Sequence, residues 1–279
     1  MKSIEKLTPD DILISDYNTL ISIVEETNRA PGGYATVQTI ANACFIDKSK
    51  RVLEIGTSTG NTAIELARMC KCQIESIDIN ERSVLKARDR AKEENLSDFI
   101  RVYQMDATDL QFDKETFDIV FCGNVTSLIP DRTKAFQEYM RVLKPGGFLV
   151  AVPMYYIERP SKELLEKVSL AIQMQVSDSC EREWLEFYRD GNMVLKYRQA
   201  YRFDRIEDRY IDRFIDYILS KPHLKQMSKD TYDCLSEQYS KFIYLFRENL
   251  SKMGFSILIY SKELYNNEPE LFTAQPVII

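Results

Sequence analysis

The sequence predicts an α/β protein: a doubly wound, seven-stranded, mostly parallel sheet with an antiparallel last strand, preceded by N-terminal helices and carrying an inserted helical cap. Three observations lead there. Between Arg51 and Val152, short apolar runs alternate with segments whose apolar residues recur at helical spacing, the pattern of successive βαβ units. The first of these runs ends in a glycine-punctuated turn, Gly56-Thr57-Ser58-Thr59-Gly60, that opens a helix. Acidic residues, Asp78 and Asp106, close the second and third runs.

The elements follow in order. Residues 1–46 read as an N-terminal helical segment, with Leu13, Tyr17, Leu20, Ile21 and Val24 in an apolar stripe. Pro31-Gly32-Gly33 interrupts it before a second helix over Thr36–Phe45. Val52–Ile55 is a strand, and Ala63, Leu66, Ala67 and Cys70 place one helical face just after it. A strand over Ile74–Ile79 precedes a helix over Glu81–Glu94, and two further strands span Ile100–Met105 and Phe117–Cys122. A helix over Asp131–Leu143 and the turn Lys144-Pro145-Gly146-Gly147 lead into a strand over Phe148–Val152.

After Pro153 the rhythm changes. Residues 160–235 read as helical, rich in charge, with Trp184, Phe187, Tyr188, Tyr197, Tyr201, Tyr210 and Phe214 interleaved. A helix over Lys241–Lys252 is closed by Gly254, and strands follow at Phe255–Tyr260 and Leu271–Ile279, joined by the turn Asn266-Asn267-Glu268-Pro269. The expected organisation is thus a helical segment at 1–46, a core of 47–157 plus 236–279, and an inserted cap at 158–235 expected to bind a substrate.

Composition narrows the class. A chain of 279 residues accommodates one well-buried α/β body with an elaboration. No run of about 18 apolar residues offers a membrane span. The mixed charges of Met1–Leu20 do not make a secretory signal. Cysteines 44, 70, 72, 122, 180 and 234 are scattered through mainly apolar stretches, which predicts reduced thiols and a cytoplasmic setting. Cys70-Lys71-Cys72 lacks a second pair, so no metal site is expected. A net charge of −6 without a Lys/Arg block counts against nucleic acid and leaves a small molecule or a peptide as partner. Oligomeric state is not readable.

The glycine turn carries the functional reading. Gly56 permits close backbone approach to a ligand, and Gly60 permits tight strand–helix packing. Asp78 stands where a carboxylate can accept both hydroxyls of a ribose, and Asp106-Ala107 where one can accept an exocyclic amine of adenine. Carboxylates at each step, with no Lys or Arg in the turn, suit a cationic nucleoside better than a polyphosphate. Glu54 lies within a buried strand, where an unpaired carboxylate costs several kcal/mol and demands a partner.

Residues 50–152 resemble the class I S-adenosylmethionine-dependent methyltransferases. The strand Val52–Ile55 with its turn resembles that family's first motif; Phe117-Asp118-Ile119-Val120 and Leu143-Lys144-Pro145-Gly146-Gly147 resemble its fourth strand and the turn before its fifth. The resemblance implies S-adenosyl-L-methionine as cofactor, held by Glu54, Gly56, Thr57, Gly60, Asp78, Ile79, Asp106, Ala107 and Asn124, with the methionine end near Glu54. Tyr34, just after the N-terminal glycine pair, is placed to fold over it. Two departures stand out. Ser58 occupies the place of a middle glycine, and Asn124-Val125-Thr126-Ser127-Leu128-Ile129-Pro130-Asp131 lacks the histidine that many small-molecule members carry there. No catalytic residue is therefore assigned. The absence of an Asn-Pro-Pro-Tyr type sequence argues against base-modifying amino-methyltransferases. The expected reaction is methyl transfer to a nitrogen or oxygen of a small-molecule or peptide acceptor, mainly by proximity and alignment.

Other readings compete. Gly56-Thr57-Ser58-Thr59-Gly60 also fits the G-x-S-x-G elbow of serine hydrolases, with His223 downstream, but it follows the first strand and leaves Asp78 idle. A nicotinamide dehydrogenase lacks its full G-x-G-x-x-G. A non-catalytic module retaining the cofactor pocket is a third reading. Asp78 also suits the cap of the next helix, and Asp106 a turn.

Overall fold

A computed structural model describes residues 2–189 and 193–263. Two short helices come first, α1 (Pro9–Leu13) and α2 (Tyr17–Ile23), each started by a side chain that accepts an amide of the first turn: Thr8 from Asp11 and Asp16 from Thr19. Residues 24–32 then run without helix or strand to α3 (Gly33–Ala43). The alternating pattern read from the sequence follows as β1 (Arg51–Ile55), α4 (Asn61–Cys70), β2 (Gln73–Asp78), α5 (Glu81–Glu93), β3 (Ile100–Gln104), β4 (Phe117–Cys122), α6 (Arg132–Val142) and β5 (Leu143–Ala151). Beyond it come β6 (Met154–Tyr156), α7 (Lys162–Ile172), α8 (Glu181–Phe187), β7 (Met193–Arg202), α9 (Asp208–Leu219), α10 (Lys229–Leu250) and β8 (Met253–Lys262).

The sheet runs β3-β2-β1-β4-β5, all parallel, and then β8, antiparallel to β5. β6 pairs with β8 in the register that β5 began: Ala151 lies opposite Leu258 and Met154 opposite Phe255. It therefore continues β5 past Pro153, which has no amide to give to the ladder. β7 takes the other side of β8. Counting β5 and β6 as one, the described residues give seven strand positions, with an antiparallel strand set into an otherwise parallel frame.

One of these positions is taken by a segment that the sequence suggests is helical. Residues 193–202, expected to be helical, form β7, while Leu271–Ile279 and the turn before it lie outside the described residues. Among the described residues β7 pairs with β8 alone, and most of its side chains are exposed. With so few of its side chains buried, the segment carries no alternating apolar pattern, and its tyrosines at 197 and 201 imitate a helical face.

One face of the sheet is covered by α3, α4 and α5 through Val37, Ile40, Ala63, Leu66, Val84 and Ala87. The other is covered by α6 and α8 through Phe136, Tyr139, Trp184 and Tyr188. Trp184 and Tyr188, expected in the cap, thus belong to the sheet layer. A separate cluster joins Ile12, Leu20, Ile23 and Val24 of the N-terminal helices to Ile211, Ile215 and Ile218 of α9 and to Leu235, Tyr239 and Ile243 of α10. The N-terminus and the late helices form one apolar layer.

Candidate functional site

The turn after β1 is anchored to the neighbouring strand. The amides of Gly56 and Thr57 both donate to the Ile77 carbonyl, each at 2.9 Å. Gly56 has φ +75°, and a Cβ there would lie 2.6 Å from Val125 Cγ2 in the turn that follows β4. Close packing by Val125 by itself requires this glycine. Gly60, φ +85°, would place a Cβ 2.9 Å from Ala87 Cβ of α5, the tight helix contact expected of it. Between them Ser58 adopts φ +49°, a left-handed conformation that explains why glycine suits this position.

Glu54 is buried at 2% exposure. Its Oε2 accepts from the Thr57 hydroxyl at 2.6 Å and from the Ser76 hydroxyl at 2.8 Å, and the Thr62 hydroxyl is a further donor. Burial pushes its pKa above the ordinary carboxylate value, and these hydroxyls partly offset the shift. Ser76 was missed in the sequence although its signal is there: a hydroxyl residue in an apolar run, at the strand position directly beside Glu54.

Asp78 closes β2 with both oxygens engaged: Oδ2 accepts from the Ser58 amide at 2.8 Å and Oδ1 from the Asn80 amide at 2.9 Å. Burial raises its pKa against the pull of these amides. The competing role, capping α5, belongs to Asn80, whose side chain accepts from the Ser83 amide. Next to Asp78, Ile79 stands 70% exposed. Asp106, beyond β3, is exposed and does close a turn, accepting from the Thr108 amide at 2.8 Å, while Ala107 is buried. Asn124, beyond β4, ties that strand to β6 by accepting from the Met154 amide at 2.9 Å. Tyr34 lies in the first turn of α3, 53% exposed. Direct hydrogen bonds thus join Glu54, the glycine turn and Asp78, while Asp106, Ala107 and Asn124 follow the carboxyl ends of β3 and β4 at the same edge.

One contribution carries no sequence signal. The segment before α3 rests on the turn: the buried Thr59 donates its hydroxyl to the Glu26 carbonyl at 2.7 Å, and Asn28 Nδ2 lies 3.4 Å from Ser58 Oγ. A backbone carbonyl is the same in every residue, so only the fold reveals this contact. The hydrolase reading finds no support here. The Ser58 hydroxyl faces Asn28, and His223 bonds through Nε2 to the Ile23 carbonyl at 3.0 Å.

A glycine turn after the first strand, an amide-held acid after the second, and a buried carboxylate beneath the turn define an α/β domain for a nucleoside cofactor. The donor set fits a cationic nucleoside, since both carboxylates are in place and an apolar side chain, Ile79, stands exposed beside Asp78. The family described as a methyltransferase domain matches residues 53–151. An uncharacterised protein of Haemophilus influenzae is 33% identical over 169 residues, 60% of this chain and 67% of that protein. A sterol methyltransferase-like protein of Botryococcus braunii is 34% identical over 109 residues, 39% of this chain and only 28% of that relative's length. Among solved structures, the MccD protein superposes with a TM-score of 0.71 at 23% identity, covering 85% of this chain and 100% of that one, a likeness of fold. The chain belongs to the class I S-adenosylmethionine-dependent methyltransferases, whose cofactor is S-adenosyl-L-methionine.

Proposed function

We propose that the protein transfers the methyl group of S-adenosyl-L-methionine to a nitrogen or oxygen of a small-molecule acceptor held between the carboxyl edge of the sheet and the helical layer above it. The observation that carries this is the pair of carboxylates bracketing one turn, Glu54 through Thr57 and Asp78 through Ser58, both already oriented by hydrogen bonds. In this reading Asp78 takes the ribose hydroxyls, Ile79, Asp106 and Ala107 the adenine, and Glu54, Gly56, Thr57 and Gly60 the methionine end, with Asn124 and Tyr34 at the margins. The cofactor supplies an electrophilic methyl carbon on a cationic sulfur. The chain's task is to hold donor and acceptor in line and to keep water out. An amine or an already acidic oxygen needs little help from a base, in keeping with the absence of histidine from 124–131.

A larger apolar acceptor is the second reading. Tyr210, Phe214 and Tyr217 are exposed along one side of α9, and the Botryococcus relative is named for sterol methylation. Incubating the protein with methyl-labelled cofactor and a cell extract separated by size tests the proposal. Label in the small-molecule fraction is expected. Label confined to protein would overturn the acceptor class, and no transfer by a protein that binds the cofactor would overturn the reaction.

A further inference from the structure

We propose that residues 24–34 form a strap that closes over the cofactor turn, and that Arg90 is its latch, so that the cofactor exchanges only when the latch lets go. This rests on the methyltransferase reading of the site.

The course of the strap places it over the carboxyl edge. Asn28 meets Ser58 after β1, a Cβ on Gly123 after β4 would touch Ala30, and one on Gly32 would strike Phe255 of β8. A ligand held by Glu54 and Asp78 therefore enters beside or beneath this segment. Arg90, half-buried on α5, joins the two parts. Its Nη1 donates to the Thr59 carbonyl at 3.1 Å and to the Thr59 hydroxyl at 2.8 Å; its Nη2 donates to the Glu25 carbonyl at 3.2 Å and to the Thr27 hydroxyl at 3.1 Å. One planar guanidinium thus holds the cofactor turn with one nitrogen and the strap with the other, a bridge that only a forked donor makes.

The strap is built to move. Residues 24–32 carry no helix or strand, and left-handed backbone marks both ends of the stretch, Glu25 at φ +51° and Gly32 and Gly33 at φ +79° and +61°, where it runs into α3. Its upper end is tied to the helical layer: His223 to the Ile23 carbonyl, Lys221 to the Val24 and Glu25 carbonyls, and Tyr239 to Glu26 Oε2 at 2.6 Å. Its contact with the cofactor turn runs through Arg90, Thr59 and Asn28. Beside it on α4, Glu65 holds one oxygen 4.0 Å from Arg29 Nε. Arg90 is therefore a positioning residue: it acts on the cofactor through Thr59 and the strap.

The test follows S-adenosylhomocysteine release by rapid displacement, together with amide exchange of peptides covering 24–34. Bound S-adenosylhomocysteine is expected to slow exchange across the strap in the wild type. Arg90→Met should speed release about tenfold, the equivalent of one charged hydrogen bond. Arg90→Lys, which keeps the charge without the fork, should fall between. Thr27→Val loosens the strap without touching Thr59 and should also speed release. A purely structural Arg90 would lower thermal stability and leave release unchanged, which overturns the latch, as does strap exchange indifferent to the ligand. A folded wild type that binds no S-adenosylhomocysteine would remove the cofactor reading, and the latch with it.

Discussion

Ser76 and Glu54 face each other across β2 and β1, the serine hydroxyl donating to the buried carboxylate at 2.8 Å. With Thr57 and Thr62 it makes a carboxylate tolerable in a strand that is otherwise core. Ser76→Ala should lower stability to denaturant by about 1–3 kcal/mol, the cost of stripping a donor from a buried acceptor. Thr57→Ala should do the same. Unchanged unfolding midpoints in both variants would show that the carboxylate does not depend on these donors.

The two glycines of the turn should fail for different reasons. A methyl on Gly56 meets the Val125 side chain at 2.6 Å, whereas one on Gly60 meets both the side chain and, at 3.0 Å, the backbone of Ala87. The left-handed conformation adds about 1–2 kcal/mol in each case. Adding Val125→Gly to Gly56→Ala should recover part of the lost stability. Adding Ala87→Gly to Gly60→Ala should recover less, because helix backbone stays in the way. Equal recovery in thermal melts would contradict this placement.

Lys221 gives the stability a pH signature. Burial, and then Arg90 nearby, hold its ammonium down at about 8, against an ordinary value of 10.5. The folded protein therefore binds this proton more weakly than the unfolded chain does. The penalty is fully present below about 8 and is relieved as pH rises toward the unfolded value. Compared with Lys221→Met, which has no such proton, the wild type should gain about 1–2 kcal/mol between those limits, a figure reduced for the part of the side chain that water screens. A difference between the two proteins that stays flat across this window would refute it.

How much of this is legible in the sequence depends on where each residue's partner lies. β1 to β5 and their helices are written in apolar runs and helical stripes, because both faces of the sheet are covered. The glycine turn and Asp78 are legible because their chemistry demands particular residue types at particular strand ends. β7 is not, since a strand that buries so few of its side chains shows neither period. α8 reads as cap and proves to be sheet layer: an aromatic helix looks the same whatever apolar surface receives it. The strap is hidden most completely, because Arg90, Lys221 and Thr59 all bind its main-chain carbonyls.

The central claim is that the edge bearing Glu54 and Asp78 is the cofactor site, and a calorimetric titration of S-adenosylhomocysteine tests it most directly. The wild type should bind. Asp78→Ala should lose most of that affinity, while Asn80→Ala, which removes the helix cap beside it, should keep the affinity at some cost in stability. Absence of binding by the folded wild type, or undiminished binding by Asp78→Ala, would contradict it.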